Sequence, residues 1–438
     1  MRCNGDSMNI DIPIGVRAYN RRETREINFI KKTIEDTFQK WCYEKITLPV
    51  FEYFDVHKRA FGEDIENRVF KLIDRTSGEI LALRADFTSQ IARYIASLKK
   101  KIFPKRYYYT GKVFRYYPPK QNNLWENMQI GIELIGVPKL EAEAETILVA
   151  IQSLKNLGLT NYQIDINNVK LYPVLKEILN LTENEYKKFT SYIKNREIFN
   201  LKEFLENKKA PEDIKEFILL ISRKLLTIDD ISNLKSSLQY ENLISVLEEL
   251  EKIYQVLDEY ELTDNILFDL SDIRAFSYYT GIVFEIFLKD FRKVIGKGGR
   301  YDKLLEQYGE NIPATGFAFN ILNIWEYMQE KNLLNIDPKK DWYIIDTTDD
   351  KRTAYQLAKI LRESGYNVAR DIINRDWEKS LEIALTENFK WVMVIMENDN
   401  GEIVYIYDKN KSIVAKEKIE NILNQKVDIK NLINKAPN

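Results

Sequence analysis

The sequence predicts an α+β fold: an antiparallel sheet with flanking helices, a helical insertion, and a small C-terminal α/β domain. Three observations predict it. Between residues 45 and 136, strand-like runs follow one another closely, which is typical of an antiparallel sheet rather than a βαβ repeat. Residues 159–280 contain no glycine and have helical spacing, which indicates a mostly helical insertion. After a linker at 335–340, strands and helices alternate, which indicates a separate domain of about 100 residues.

The first part of the sheet domain is expected to contain two helices. Apolar residues recur at helical spacing between residues 22 and 44, so this segment predicts an amphipathic helix that packs on a core. The second helix is predicted at 87–98, because Ile91, Ile95 and Leu98 share one face. Strands are predicted at 46–51, 69–73, 107–117 and 129–135.

The remaining elements complete the predicted domain boundaries. A strand at 283–288 and a glycine-rich turn at 296–299 resume the sheet after the insertion. In the C-terminal domain, a strand at 342–345 precedes a helix that ends at Gly365, and a turn after the strand at 391–396 indicates a hairpin. The predicted parts are residues 1–160 and 266–334 for the sheet domain, 161–265 for the insertion, and 341–438 for the C-terminal domain.

Composition and charge exclude several classes of function. Lys and Arg total 65 against 67 for Asp and Glu, so the net charge of −2 argues against a dedicated nucleic-acid-binding protein. The two cysteines, Cys3 and Cys42, are too few for a disulfide framework or a thiolate zinc site. Because His57 is the only histidine, catalytic triads and histidine-ligated zinc sites are essentially unavailable, and we expect neither a metal nor a cofactor. The sequence has no signal-peptide-like N-terminus and no run of about 18 apolar residues, so we expect a cytoplasmic protein.

One face of the predicted strand at 129–135 carries polar groups that suit a small ligand. Alternation with a period of two places Gln129, Gly131 and Glu133 together on this face. The amide and the carboxylate flank a glycine, which leaves floor space for a small ligand with polar groups at both ends. The alternative is a sheet with one solvated face, and this segment taken alone favours that alternative.

The segment 274–285 adds an arginine and two tyrosines. The Arg274 guanidinium suits a carboxylate, and the Tyr279 hydroxyl can bond an imidazole nitrogen. The alternative is an exposed arginine beside two packed tyrosines. Asp86, just before the predicted helix at 87–98, is interpreted first as an N-cap and only second as a ligand contact.

Together these segments resemble the catalytic core of class II histidyl-tRNA synthetases, from about residue 14 to residue 322. Residues 47–52 resemble motif 1, the strand and dimer-contact segment of that family. Residues 112–115 begin a motif-2-like hairpin that ends in the strand at 129–136. The other matching blocks are 83–88, 274–285, 298–302 and the motif-3-like 315–318. The resemblance implies a class II aminoacyl-tRNA-synthetase-like antiparallel sheet, and the C-terminal domain resembles an anticodon-binding domain.

Departures from this pattern change the expected function. At two positions where such synthetases hold ATP with arginine, the chain has Asn123 and Asn323. Removing one preorganised donor typically costs roughly 10²–10³ in rate, so two missing arginines would leave a very poor ligase. Ser277 and Asp86 stand where the synthetases have Asp and Glu. In these positions the chain resembles the regulatory subunit of ATP phosphoribosyltransferase.

This second resemblance implies a non-catalytic subunit that senses histidine and is required for the first step of histidine biosynthesis. The implied partners are the short-form catalytic subunit of ATP phosphoribosyltransferase, in an allosteric hetero-oligomer, and a second copy of this chain. Neither membrane nor tRNA binding is expected. The C-terminal domain keeps open the alternative of a histidyl-tRNA synthetase, active or degenerate, that performs ATP-dependent aminoacylation. A stand-alone RNA-binding module is a third alternative, which the balanced charge disfavours.

The same resemblance implies a histidine-binding site and no catalytic residues. Arg274 is expected to bind the carboxylate of histidine. Asp86 and Gln129 are expected to bind its amino group, and Glu133 with Tyr279 its imidazole. The full set of expected histidine-binding residues is Asp86, Thr88, Arg115, Gln129, Glu133, Arg274, Tyr278 and Tyr279.

Overall fold

The computed structural model describes residues 12–61, 67–118, 124–273, 278–373, 375–399 and 401–424. The chain forms two compact units, Met1–Leu334 and Asn335–Asn438. Within the described ranges, no helix is both long and apolar enough to cross a membrane.

An eight-stranded sheet lies at the centre of the first unit. The strands of this unit, in chain order, are β1 (Glu44–Lys45), β2 (Phe51–Tyr53), β3 (Lys71–Ile73), β4 (Ile80–Leu83), β5 (Lys105–Phe114), β6 (Glu126–Ile135), β7 (Tyr162–Asn168), β8 (Ile266–Phe268), β9 (Ile282–Leu288), β10 (Gly296–Arg300) and β11 (Ala314–Asn320). The large sheet has the order β1-β5-β6-β11-β10-β9-β7-β8, and β2, β4 and β3 form a separate three-stranded sheet. Neighbours in the large sheet are antiparallel except at its two edges, where β1 pairs with β5 and β7 with β8. The predicted fold class is therefore confirmed.

Helices accompany both sheets of the first unit. They are α1 (Arg21–Lys40), α2 (Phe54–Phe61), α3 (Thr88–Ser97), α4 (Glu141–Asn156), α5 (Leu171–Ile178), α6 (Glu183–Lys194), α7 (Ile198–Asn207), α8 (Glu212–Ile221), α9 (Ile228–Ser237), α10 (Glu241–Asp258), α11 (Asp302–Glu306) and α12 (Ile321–Glu330). The predicted N-terminal amphipathic helix is α1. A capping box of Asn20 and Glu23 starts it, and Ile30, Ile34 and Phe38 on its apolar face are fully buried.

The helical insertion is shorter than the sequence predicts. Residues 161–265 are predicted to be a mostly helical insertion, but Tyr162–Asn168 is β7, a strand of the large sheet. Ile164 and Ile166 of β7 are fully buried in that sheet. The helical prediction rests on helical spacing and on the absence of glycine, and the absence of glycine is equally compatible with a short buried strand. The helical segment proper begins at Leu171.

The strand predicted at 46–51 is also wrong in its extent. Strand pairing is confined to β1, which ends before this segment, and to β2, which begins at its last residue. Pro49 has no N–H group to donate to a ladder. The carbonyl oxygens of Leu48 and Pro49 instead accept hydrogen bonds from Nη1 of the buried Arg84, at 3.0 and 3.4 Å.

The second unit is an α/β arrangement around a five-stranded sheet of order β13-β12-β14-β15-β16. Its elements are β12 (Trp342–Asp346), α13 (Arg352–Glu363), β13 (Val368–Arg370), α14 (Trp377–Thr386), β14 (Trp391–Asn398), β15 (Gly401–Tyr407), β16 (Ile413–Lys418) and α15 (Ile419–Leu423). The predicted helix that ends at Gly365 is α13, and Gly365 adopts a φ of +88°, as expected of the glycine that follows a helix. Hydrophobic clusters pack on both faces of the sheet.

Candidate functional site

A cavity of about 730 Å³ is lined by residues of β5, β6, β9, β10 and β11 in the first unit. Small-molecule sites usually measure about 300–1,000 Å³. The cavity is lined by every predicted histidine-binding residue that lies in the described ranges: Asp86, Thr88, Arg115, Gln129, Glu133, Tyr278 and Tyr279. Arg274, Ser277 and Asn123 lie outside the described residues.

Strand β6 supplies two of these polar side chains because its residues alternate between two faces. Ile130, Ile132 and Leu134 are buried in the core, whereas Gln129 and Glu133 line the cavity. The face expected from the period-two pattern is therefore the face that borders the cavity.

Two glycines make room for polar side chains on the cavity floor. Gly316 of β11 pairs directly with Glu133, and a Cβ atom at Gly316 would lie 1.9 Å from Glu133 Oε2. Gly131 pairs with Tyr109 of β5, and a Cβ atom at Gly131 would lie 2.7 Å from the Tyr109 hydroxyl oxygen. Side chains larger than hydrogen at these positions would collide with the groups that line the site.

Glu133 is buried and is surrounded by hydroxyl groups. Thr88 Oγ1 donates a hydrogen bond to Glu133 Oε1 at 2.8 Å, and the Tyr301 hydroxyl donates to Oε2. The nearby Tyr109 hydroxyl also lowers the pKa of this carboxyl group. Burial raises the pKa of Glu133 to about 8; the hydroxyl donors oppose this rise, and the nearby charge of Asp86 adds to it. At neutral pH the carboxyl group is therefore mostly protonated before a ligand binds.

Asp86 is the second buried carboxyl group of the site. Its Oδ1 accepts hydrogen bonds from the Ser89 hydroxyl at 2.6 Å and from the Ser89 backbone N–H at 3.4 Å. Its Oδ2 is buried and has no hydrogen-bond partner among the described residues. The N-cap position of α3 is held by Phe87, which makes no side-chain cap bond, and Asp86, one residue earlier, supplies the side-chain bond to the first turn. A buried acceptor without a donor costs about 1–3 kcal/mol, which a cationic ligand group would offset.

Arginine and tyrosine side chains complete the walls. Arg115 Nε donates to the Ala85 carbonyl oxygen at 2.8 Å, which places its positive charge beside Asp86. The ring of the buried Tyr278 lies 4.8 Å from that of Tyr279 and 6.0 Å from that of Tyr301, measured between centroids. The site therefore combines two buried carboxyl groups with aromatic surfaces, and the Arg115 guanidinium lies beside Asp86.

Sequence reasoning assigned no role to several residues that line the cavity. Tyr301 lies in the matching block 298–302, but nothing in the sequence indicates that its hydroxyl reaches Glu133. Tyr109 could have been found only from the register that pairs it with Gly131. Lys194, at the end of α6 in the helical segment, also lines the cavity and carries no sequence signal.

Near the motif-3-like segment, the side chains that could contact phosphates are uncharged or already paired within the protein. Asn323 donates from Nδ2 to the Val294 carbonyl oxygen at 2.7 Å, so this amide is committed to the backbone. Lys297 forms an ion pair with Glu285 at 2.6 Å. The buried Arg300 is held by Glu143, with Nε to Oε1 at 2.6 Å, and is likewise used by the fold.

Comparison with known proteins places the chain in a family. The family model of histidyl-tRNA synthetase matches residues 15–324. The ATP phosphoribosyltransferase regulatory subunit of Geobacter metallireducens is 30% identical over 410 residues, which cover 92% of this chain and 94% of that protein. The protein of the same name from Syntrophotalea carbinolica is 32% identical over 387 residues, covering 88% and 90%.

Solved structures agree with this assignment. The crystal structure of a Bacillus halodurans protein, described as an ATP phosphoribosyltransferase regulatory subunit/histidyl-tRNA synthetase, matches with a TM-score of 0.77 and 27% identity, covering 89% of this chain and 99% of that one. The chain therefore belongs to the family of ATP phosphoribosyltransferase regulatory subunits, and it is built on the fold of the histidyl-tRNA synthetases.

Proposed function

We propose that this chain is a non-catalytic regulatory subunit of ATP phosphoribosyltransferase that senses L-histidine and acts in the first step of histidine biosynthesis. The observation that carries the proposal is a pair of buried carboxyl groups in one cavity, Asp86 and Glu133, each held by a hydroxyl group of α3. Histidine presents two separate nitrogen-containing groups, an ammonium and an imidazole, and so offers a partner to each carboxyl group.

The ammonium, imidazole and carboxylate groups of histidine each bind different residues of the cavity. The ammonium group of histidine binds Asp86 Oδ2 and Gln129, and the imidazole binds Glu133 and Tyr279. The buried, unpaired state of Asp86 Oδ2 and the hydroxyl groups around Glu133 support these roles. By resemblance to the histidyl-tRNA synthetases, Arg274 binds the ligand carboxylate.

The partner of this chain is the short-form catalytic subunit of ATP phosphoribosyltransferase. The names of the Geobacter and Syntrophotalea relatives support such a partner, because each is called a regulatory subunit of that enzyme. A subunit without catalytic groups acts by contact, so histidine binding must bias a conformational equilibrium that both subunits share. The sequence predicts that this hetero-oligomer forms in the cytoplasm.

The purified chain is expected not to form histidyl-adenylate. The amide of Asn323 is bonded to the Val294 carbonyl oxygen and carries no charge, so it cannot replace an arginine against the phosphates. The test is histidine-dependent exchange of labelled pyrophosphate into ATP, with an authentic histidyl-tRNA synthetase as the positive control. Exchange clearly above background would establish the synthetase alternative and refute the regulatory proposal.

A second copy of the chain is proposed to dock on the outer face of the three-stranded sheet. Cross-strand pairing places Phe51, Tyr53 and Leu72 on this face, with exposed fractions of 55%, 52% and 42%. The opposite face carries Glu52 and Ala82, which are buried, and Ile73 and Ile80 at its outer end, which are exposed. A contiguous apolar face that is exposed in a single chain usually marks an interface. The motif-1-like position of β2 supports a homodimer.

Replacing Phe51 and Tyr53 together by Glu is expected to convert the dimer to a monomer. Each introduced carboxylate would be buried without a partner, so the dimer should weaken by at least about 100-fold. Sedimentation velocity measures the result, and Phe199→Glu, at a 79% exposed phenylalanine in the helical segment, is the matched control. A double variant that stays dimeric would show that the copies meet elsewhere.

A further inference from the structure

The only histidine of the chain lies fully buried behind the cavity, and none of the proposed ligand contacts uses it. His57 is on α2, and its Nδ1 lies 3.2 Å from the hydroxyl oxygen of Ser89 on α3. The same hydroxyl lies 2.6 Å from Asp86 Oδ1. His57, Ser89 and Asp86 have exposed fractions of 0%, 0% and 5%, so water does not compete for these bonds.

The donor in each of the two hydrogen bonds, His57–Ser89 and Ser89–Asp86, follows from which groups carry a proton. The Ser89 hydroxyl has one proton, and the carboxylate oxygen of Asp86 can only accept. The hydroxyl therefore donates to Asp86, and His57 Nδ1–H must donate to the hydroxyl oxygen. Burial, together with the charge of Arg115, lowers the pKa of His57 to about 4, so the ring is neutral at neutral pH. The chain of donors runs from His57 through Ser89 to Asp86.

This chain of bonds leaves the two oxygens of Asp86 in different states. Oδ1 is committed to Ser89, while Oδ2 has no hydrogen-bond partner within the described ranges. We propose that His57 and Ser89 are positioning residues that lock the Asp86 carboxylate so that Oδ2 is held ready for the ammonium group of the ligand. The inference rests on the proposed histidine site and assigns the residues that set its preference for an α-amino group.

A purely structural link between α2 and α3 would have a different signature. Loss of such a link would destabilise the fold and weaken every ligand alike. A positioning role affects only ligands that carry the ammonium group, because only these contact Asp86. The discriminating ligand is imidazolepropionate, which is histidine without its α-amino group.

The test compares both ligands on Ser89→Ala and on wild type by ligand-observed NMR, which reaches millimolar dissociation constants. Histidine is expected to bind Ser89→Ala about 10- to 100-fold more weakly, as for the loss of a hydrogen bond to a charged group. Imidazolepropionate is expected to bind both proteins equally. Ser97→Ala is the matched control, because Ser97 is an exposed serine on the same helix whose hydroxyl donates to the Tyr94 carbonyl oxygen at 2.7 Å.

Substitutions at His57 test the first hydrogen bond of the series His57–Ser89–Asp86. They also keep the proposal testable if Ser89→Ala does not fold. His57→Asn keeps an N–H donor near the position of Nδ1 and should retain most of the preference for histidine. His57→Leu removes the donor and should lose the preference as Ser89→Ala does. Equal weakening of both ligands, or unchanged histidine binding in Ser89→Ala and His57→Leu, would overturn the positioning role. Wild-type protein that binds neither ligand would instead refute the histidine site itself.

Discussion

Glu133→Ala is expected to abolish measurable binding of histidine. The substitution removes the partner of the imidazole and leaves the hydroxyl groups of Thr88 and Tyr301 without their acceptor. A site that hydrogen-bonds a polar ligand group rejects analogues without that group by about 10⁴ or more, so leucine should not bind the wild-type protein. Isothermal titration calorimetry measures both effects, after circular dichroism has shown that the variant is folded.

Glu285→Ala is the control for this prediction. Glu285 lines the same cavity, but it is paired with Lys297 and has no proposed contact with the ligand. Its removal should change histidine affinity little. Histidine binding that survives Glu133→Ala, or equal affinities of the wild type for histidine and leucine, would show that the ligand lies elsewhere.

The affinity for histidine is expected to be highest between about pH 6.5 and pH 8. The buried Glu133 has a pKa of about 8, and a free imidazole side chain has a pKa of about 6.5. Within this window the carboxyl group brings the one proton that a bond between Glu133 and the imidazole needs. Below about pH 6.5 the free imidazole is also protonated, so one of the two protons must be released on binding. Above about pH 8 neither Glu133 nor the imidazole carries the shared proton, so one must be taken up from solvent. Affinity should therefore fall on both sides, by up to about tenfold per pH unit.

Calorimetry in buffers of different ionisation enthalpy checks this proton balance. Inside the window the heat of binding should be independent of the buffer, because no net proton is exchanged. At pH 5.5 the heat should vary with the buffer, in the sense of proton release. An affinity that keeps rising as the pH falls to 5 would contradict the protonated state of Glu133 before the ligand binds.

The second large effect concerns the complex with the short-form catalytic subunit of ATP phosphoribosyltransferase. The two proteins are expected to co-elute on gel filtration, and histidine is expected to inhibit the complex. Coupling between two such sites is typically about 1–3 kcal/mol, or roughly 5- to 150-fold in affinity. Because binding linkage is reciprocal, substrates of the catalytic subunit should weaken histidine binding by the same factor if histidine weakens theirs.

A complex made with Glu133→Ala separates assembly from sensing. It should retain its activity but require at least about tenfold more histidine for inhibition, because the sensor pocket has lost its imidazole contact. The complex made with Glu285→Ala should respond as the wild type does. Unchanged inhibition of the Glu133→Ala complex would place the sensor at another site, and failure to co-elute would refute the partnership.

Much of the candidate site follows from local sequence patterns. Gln129 and Glu133 share a face of β6 because the side chains of any strand alternate with a period of two. The amphipathic spacing that predicts α1 is equally local. Asn323 is a feature of the sequence itself, and it predicts that the chain does not use ATP for aminoacylation.

Other parts of the site depend on strand register and could not be predicted. Gly316 faces Glu133, and Tyr301 donates to it, although both lie far from Glu133 in the sequence. Strand β7 joins the large sheet within a segment whose composition favours helix. Such pairings are decided by the summed packing of the sheet, which no short segment contains.

The sequence by itself determined the fold class, the face of β6 that borders the cavity, and the residue types available for binding. Only the tertiary structure decided which of those residues are accessible to a ligand. Arg84 and Arg300 are buried and bonded within the fold, whereas Asp86 keeps one buried oxygen without a hydrogen-bond partner among the described residues. The physical reason is that a buried charged group must form hydrogen bonds or ion pairs, and a group paired within the fold is not available to a ligand. Which groups are buried depends on the packing of the whole chain and not on any single segment.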